Sequence, residues 1–85
     1  MISIRRSLLP ILITSACKTG DIDTVRSLIE EGVNLNIPSE YDGKTAMHVA
    51  CAEGHLELVN FLLSKGASVY VRDGHSRIPL FYAIR

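Results

Sequence analysis

The chain repeats itself, and that narrows its possible folds more than any other property. Gly20 precedes Gly54, and Gly32 precedes Gly66, by the same 34 residues; at that offset Ala16 matches Ala50, Cys17 matches Cys51, Val25 matches Val59 and Leu28-Ile29 matches Leu62-Leu63. A fixed period of this length implies a helical or mixed supersecondary unit that must stack on copies of itself to bury its apolar face. Downstream the offset becomes 33, pairing Ala46 with Pro79, Met47 with Leu80 and Ala50 with Ala83, so a third unit starts and is cut. A single insertion near Pro38 to Glu40 accounts for the change, at a linker tip where an extra residue is well tolerated.

Residues 42 to 66 show the unit most clearly, as turn, helix, turn, helix, stop. Asp42-Gly43 signals a tight turn, Thr45 is a good N-cap for a short helix over Ala46 to Glu53, and Gly54 supplies the positive φ that ends it. Leu58, Val59, Phe61, Leu62 and Leu63 then recur at helical spacing, with Gly66 just past the last turn. In the preceding unit the first helix is expected over about Leu9 to Lys18 with Pro10 near its start, and the second from an Asp21 N-cap to Glu31-Gly32. Ala67 to Val71 alternates and is β-branched, as expected of one arm of a hairpin linker. The sequence leaves residues 1 to 7 open between a helical lead-in and a frayed terminus.

This central segment resembles an ankyrin repeat, whose signature is Asp-Gly-x-Thr-Pro-Leu-His-x-Ala, then Gly-His, then an apolar helix ending at Gly-Ala. Thr45, His48, Ala50, Gly54, His55, Leu62, Leu63, Gly66 and Ala67 match it. Ala46 replaces the usual Pro and Met47 the usual Leu, a good helix former and a volume-conserving swap. The resemblance implies an all-α ankyrin-repeat solenoid of about two and a third repeats: residues 1–8 a lead-in, 9–41 and 42–74 two repeats, and 75–85 a truncated third. It also implies structural roles for Thr45, His48, Gly54 and Gly66, with His55 opening a second helix.

A narrower likeness lies within that class. Leu8-Leu9-Pro10, Ala16 to Asp21, Tyr41 to Thr45, Ala52 to Glu57 and Gly66 to Asp73 look like the C-terminal ankyrin tail of animal asparaginases that also bear a lysophospholipase name, and animal glutaminases carry a similar tail. The Thr-Gly-Gly-Thr nucleophile loop of the asparaginase catalytic domain is missing, since Lys18-Thr19-Gly20-Asp21 departs from it. Two functions follow from the likeness: a protein-protein interaction module, non-catalytic by itself, or the ankyrin portion of an asparaginase-like amidohydrolase whose catalytic domain is not in this chain.

Composition names no electrostatic partner. Nine basic and nine acidic side chains cancel, so no net field draws the chain to nucleic acid or an anionic membrane. Two cysteines are too few for a disulfide framework, which favours a reducing, cytoplasmic setting. Leu8 to Ile13, broken by Pro10, falls far below the roughly 20 residues of a membrane span. Arg5-Arg6 followed by an apolar run and Thr14-Ser15-Ala16-Cys17 has the outline of an export signal, but cleavage there would remove a helix that the repeat register requires.

Chemistry finds little footing. His48, Cys51 and His55 sit at ligand-like spacing, yet Gly54 interrupts the helix and structural zinc takes four ligands, so no metal and no cofactor is expected. Cys17 and Cys51 stand at equivalent places on stacked helices, about 8 to 10 Å apart, beyond disulfide reach, and are expected to be buried, reduced and slow to label. None of the serines has a nucleophile-elbow glycine pair. Asp21, Asp23, Glu30, Glu31 and Glu57 fall in caps or on solvated faces, and a pair of short helices offers no cleft of ordinary ligand size, so no catalytic residue and no small-molecule substrate is expected. The expected partner is a protein or a neighbouring domain, met by the linker edge and the adjoining first helices: Tyr41, Asp42, Lys44, Ala52 and Glu53 in the central repeat, and Arg72, His75, Ser76 and Arg77 in the next. Leu80, Phe81 and Ile84 are expected to leave an apolar end open, with the natural product continuing past Arg85.

Overall fold

The computed structural model describes residues 3–84, with side chains from residue 8 onward. Among these, the helices are α1 (Ser3–Thr19), α2 (Ile22–Glu30), α3 (Ala46–Glu53), α4 (Leu56–Ser64) and α5 (Pro79–Ala83), and there is no strand. Two antiparallel helix pairs, α1/α2 and α3/α4, stack side by side, and α5 continues the inner row α1, α3, α5.

α1 buries Leu9, Ile13, Ala16 and Cys17, one stripe at spacings of four, three and one, and leaves Leu8, Ile11, Ser15 and Lys18 exposed. It starts well before Leu9, so Pro10 lies inside the helix rather than at its head. The proline forfeits one intrahelical bond; Leu9 and Ile13, buried on either side of it, hold the segment on the core. The lead-in expected over residues 1–8 is therefore helical from Ser3, while Met1 and Ile2 lie outside the described residues. α3 is sandwiched between α1 and α5 and backed by α4, which explains its small residues: Ala46 and Ala50 are buried and let the neighbouring helices close in.

The stops repeat as faithfully as the starts. The N–H of Gly20, Gly32, Gly54 and Gly66 each returns to the carbonyl three residues back, and the next residue's N–H reaches five back: Asp21 to Ala16, Val33 to Leu28, His55 to Ala50 and Ala67 to Leu62, at 3.0–3.2 Å. All four glycines have positive φ, the geometry such a cap demands. Asp21 caps α2 as expected, accepting from the Thr24 N–H at 3.2 Å and the Thr24 hydroxyl at 2.6 Å.

The linkers depart from the expected hairpins. They do not pair as a ladder; side chains bind them instead, with Asn36 Oδ1 accepting from the Ser68 N–H at 2.8 Å across successive linkers. Their turns correspond with one residue's difference: the Ser39 N–H donates to the Lys44 carbonyl and the Asp73 N–H to the Arg77 carbonyl, both at 2.9 Å, over spans of five and four residues. The turn tips touch. The Gly74 N–H donates to the Asp42 carbonyl at 2.7 Å, and a Cβ on Gly43 would lie 2.6 Å from the Gly74 nitrogen. Ser76 stands where Gly43 does in the preceding turn and takes the same left-handed conformation, φ 63° against 73°, which strains a residue with a Cβ.

Candidate interaction surface

His48 is the centre of the polar structure. It is fully buried in the first turn of α3, where its Nδ1 accepts from the Thr45 N–H at 3.1 Å and lies 2.9 Å from the Thr45 hydroxyl. With Nδ1 as acceptor the ring proton sits on Nε2, which donates to the Arg77 carbonyl at 2.7 Å. One side chain thus closes its own turn and holds the next linker. Both ring nitrogens are committed to that work.

His55 plays a matching part that sequence reasoning missed. Its ring makes no N-cap bond to α4; it crosses to the preceding repeat, where Nε2 donates to the Lys18 carbonyl at 3.1 Å. A Cβ at Gly20 would come within 3.0 Å of that ring, so the glycine gives the histidine its place. Gly-His pairing in the sequence was the available signal.

A second cluster ties α5 to the second linker. Asp73 is buried and its Oδ1 accepts from the N–H of His75 at 2.8 Å and of Arg77 at 3.0 Å, while its Oδ2 accepts from the Tyr82 hydroxyl. The Tyr82 ring meets His48 edge-on at 5.9 Å, and Lys44 Nζ stands 4.4 Å from its centroid. Burial alone would raise the Asp73 carboxyl, but the hydrogen bonds from Tyr82, Arg77 and His75 outweigh it and hold it down at about 2. The hydrogen bond to Asp73, with burial, raises the Tyr82 hydroxyl in turn. A carboxylate depressed on folding adds stability above its unfolded pKa and loses it as pH falls through the folded value. The chain should therefore lose this contribution between roughly pH 4 and pH 2. In melts across that range, the Tm advantage of wild type over Asp73→Asn should shrink toward zero; an advantage that stays constant to pH 2 would show that the carboxylate charge does not matter.

The residues expected to meet a partner divide on this geometry. Tyr41, 92% exposed, stands at the first linker tip with Asp42, whose Oδ1 accepts from the Lys44 N–H at 3.1 Å. Glu53 closes α3, and Arg72, His75, Ser76 and Arg77 are exposed on the second linker. Lys44 and Arg77 are not free ends: each cation covers a ring of α5, Arg77 lying 4.3 Å over Phe81. The expectation of no ligand-sized cleft needs correction. Two clefts of about 300 and 350 Å³ open beside the α1–α2 and α3–α4 turns and beside the first linker, at the lower end of the ligand-pocket range.

The cysteines are free but unequal. Cys17 is fully buried, which pushes its thiol up to about 12; Cys51 is half-buried and raised less far. The expected shielding therefore holds for Cys17 but only in part for Cys51. In native thiol titration Cys51 should label first and Cys17 only at the rate of unfolding.

Stacked helix pairs with Schellman stops, a Thr45–His48 turn lock and tip-to-tip linkers define a helical solenoid. Residues 9–73 match the family model described as ankyrin repeats (3 copies), and the chain belongs to the ankyrin-repeat family. It is 35% identical over 79 residues, 93% of its length, to L-asparaginase of Dirofilaria immitis, and 35% identical over 71 residues, 82% of its length, to the mitochondrial liver isoform of glutaminase of Rattus norvegicus. It is also 41% identical over 59 residues, 69% of its length, to the 60 kDa lysophospholipase of Mus musculus. The chain spans only 13%, 12% and 10% of these relatives' own lengths. No helix among the described residues is long and apolar enough to cross a membrane.

Proposed function

We propose that this chain is a cytoplasmic, non-catalytic protein-binding module whose partner surface is the linker edge and the adjoining ends of the inner helices. The observation that carries the reading is the division of labour among polar residues. His48, His55 and Asp73 spend their polar atoms on the chain's own backbone and on Tyr82, whereas Tyr41, Arg72 and His75 stand exposed on the linker edge those bonds hold, with Glu53 exposed at the far end of α3. A rigid scaffold presenting exposed loop side chains is the arrangement from which recognition is usually built. A photo-crosslinking amino acid placed at Tyr41 or Arg72 should capture a discrete protein partner from cells, and the same group at Asn60, exposed on α4, should not. Equal capture from both faces would sink the assignment.

A second reading has its own support. The three relatives carry enzyme names, and the likeness covers 69–93% of this chain while taking in about a tenth of each of them. On that reading the module is the ankyrin portion of an asparaginase-like amidohydrolase and its partner is the catalytic domain of the same polypeptide. Sequencing the transcript upstream of Met1 tests it, since it requires an in-frame α/β catalytic domain there.

A further inference from the structure

Each linker turn carries an Asp-Gly pair, Asp42-Gly43 in the first and Asp73-Gly74 in the second. The touching tips admit no Cβ after either aspartate: one on Gly43 would lie 2.6 Å from the Gly74 nitrogen, and one on Gly74 would lie 2.8 Å from the Asp42 carbonyl oxygen. The fold therefore places beside each aspartate the backbone nitrogen that most readily reaches a preceding carboxyl carbon, because glycine has no side chain in the way. The two aspartates are held differently. Asp73 is 7% exposed, and its two oxygens accept three hydrogen bonds, from the N–H groups of His75 and Arg77 and from the Tyr82 hydroxyl. Asp42 is exposed and, among the described residues, accepts one, from the Lys44 N–H to Oδ1 at 3.1 Å. The glycine nitrogens do not separate the sites, since the Gly43 N–H donates to the Ser39 carbonyl at 3.0 Å and the Gly74 N–H to the Asp42 carbonyl at 2.7 Å.

We propose that Asp42 is a site of spontaneous isoaspartate formation and that the fold protects Asp73 from the same reaction. The Gly43 nitrogen attacks Cγ of the protonated Asp42 carboxyl and forms an N–Cγ bond, while its hydrogen and the carboxyl OH leave as water. Water then opens the five-membered imide. Entry at Cγ restores aspartate; entry at the backbone carbonyl carbon leaves a chain that runs through Cβ and Cγ. Nothing is oxidised or reduced, and the water lost is regained. Asp73, held at about 2, is rarely in the protonated form that the first step needs. The product lengthens the backbone by one carbon at the tip, and the carbonyl that receives the Gly74 N–H becomes half of a free carboxylate. The contact between the linkers changes with it, on the edge that presents Tyr41.

The test is incubation of the 85-residue chain for weeks near neutral pH and body temperature, in buffer and in concentrated urea. Peptide mapping with electron-transfer fragmentation then tells isoaspartate from aspartate at equal mass. In buffer the product should accumulate about tenfold faster at residue 42 than at residue 73, because two fewer hydrogen bonds hold the carboxyl and each is worth a factor of a few. In urea, with both turns open, the two rates should converge. Tyr82→Phe removes one of the Asp73 donors and should speed the reaction at residue 73 a few-fold while leaving residue 42 unchanged. No isoaspartate at residue 42, equal rates at the two sites in buffer, or a tenfold difference that persists in urea would each overturn the proposal.

Discussion

Replacing His48 with Ala lowers the unfolding free energy by about 3 kcal/mol in urea titrations, against a whole stability of roughly 4 to 13 kcal/mol for a chain of this size. The loss has two parts. The Thr45 N–H, buried and deprived of Nδ1, is left without its acceptor, which costs about 1 to 3 kcal/mol. The vacated ring volume adds a cavity beneath Tyr82, and α5 loses an edge contact. The Arg77 carbonyl is not orphaned, because the Asp73 N–H also donates to it, so the damage falls on the α3 turn more than on the linker. His48→Phe separates the two parts: it restores volume without an acceptor and should recover the cavity share alone. Phe81 holds the corresponding place in the third unit, where it is half exposed rather than buried. A cost below about 0.5 kcal/mol for His48→Ala would show that the ring is not the lock described. A Tm raised by zinc in wild type but not in the variant would make the ring a metal ligand instead.

Much of this was legible in the residues, for reasons that differ from place to place. The helix ends were readable because Asp21, Thr45, Gly54 and Gly66 act through local backbone chemistry that needs no knowledge of the rest of the chain. α3 was bounded correctly from Thr45 and Gly54 alone. The start of α1 was not, because Pro10 argues locally for a helix head and the burial of Leu9 and Ile13 overrides it. The linkers misled in the opposite way: Ala67 to Val71 has a strand's alternation, but the partner arm supplies the Asn36 side chain where a ladder would need backbone. The Asp73–Tyr82 bond was hidden because it depends on how the Asp73–Arg77 turn sets α5 against the linker, and the reach of His55 to Lys18 because, beyond the Gly-His pairing, only stacking brings the two repeats together. The cleft beside the first linker lay hidden as well, since nothing in Leu8 or Ile11 separately says that Ile37 and Tyr41 will line it with them.

Adding one idealised capping helix pair after Arg85 raises Tm by about 10 °C or more and leaves a monomer. Leu80, Phe81 and Ile84 are 56%, 50% and 71% exposed, whereas Met47, which stands where Leu80 does one repeat earlier, is 1% exposed. The difference is α4: it backs α3, and among the described residues α5 has no such helix behind it. Fully burying a large apolar side chain is worth about 1.5 to 3 kcal/mol, so completing the burial of three that are about half covered is worth roughly 2 to 4 kcal/mol. At about 4 to 8 °C per kcal/mol for a domain of this size, that is about 8 °C at the lowest and well above 10 °C over most of the range. Without the cap, α5 is held by its packing against α3, by buried Pro79, and by the Asp73–Tyr82 bond and the cations laid over Phe81 and Tyr82, the polar contacts being ones that water competes for. Its amides should therefore exchange with solvent well before those of α3, and sedimentation should show the uncapped chain associating as concentration rises, with Leu80→Asn and Phe81→Ser together suppressing it. A monodisperse 85-residue monomer whose sharp melting transition does not move when the cap is added would show that the α5 face costs the chain nothing, and the stacking argument for this end would fall.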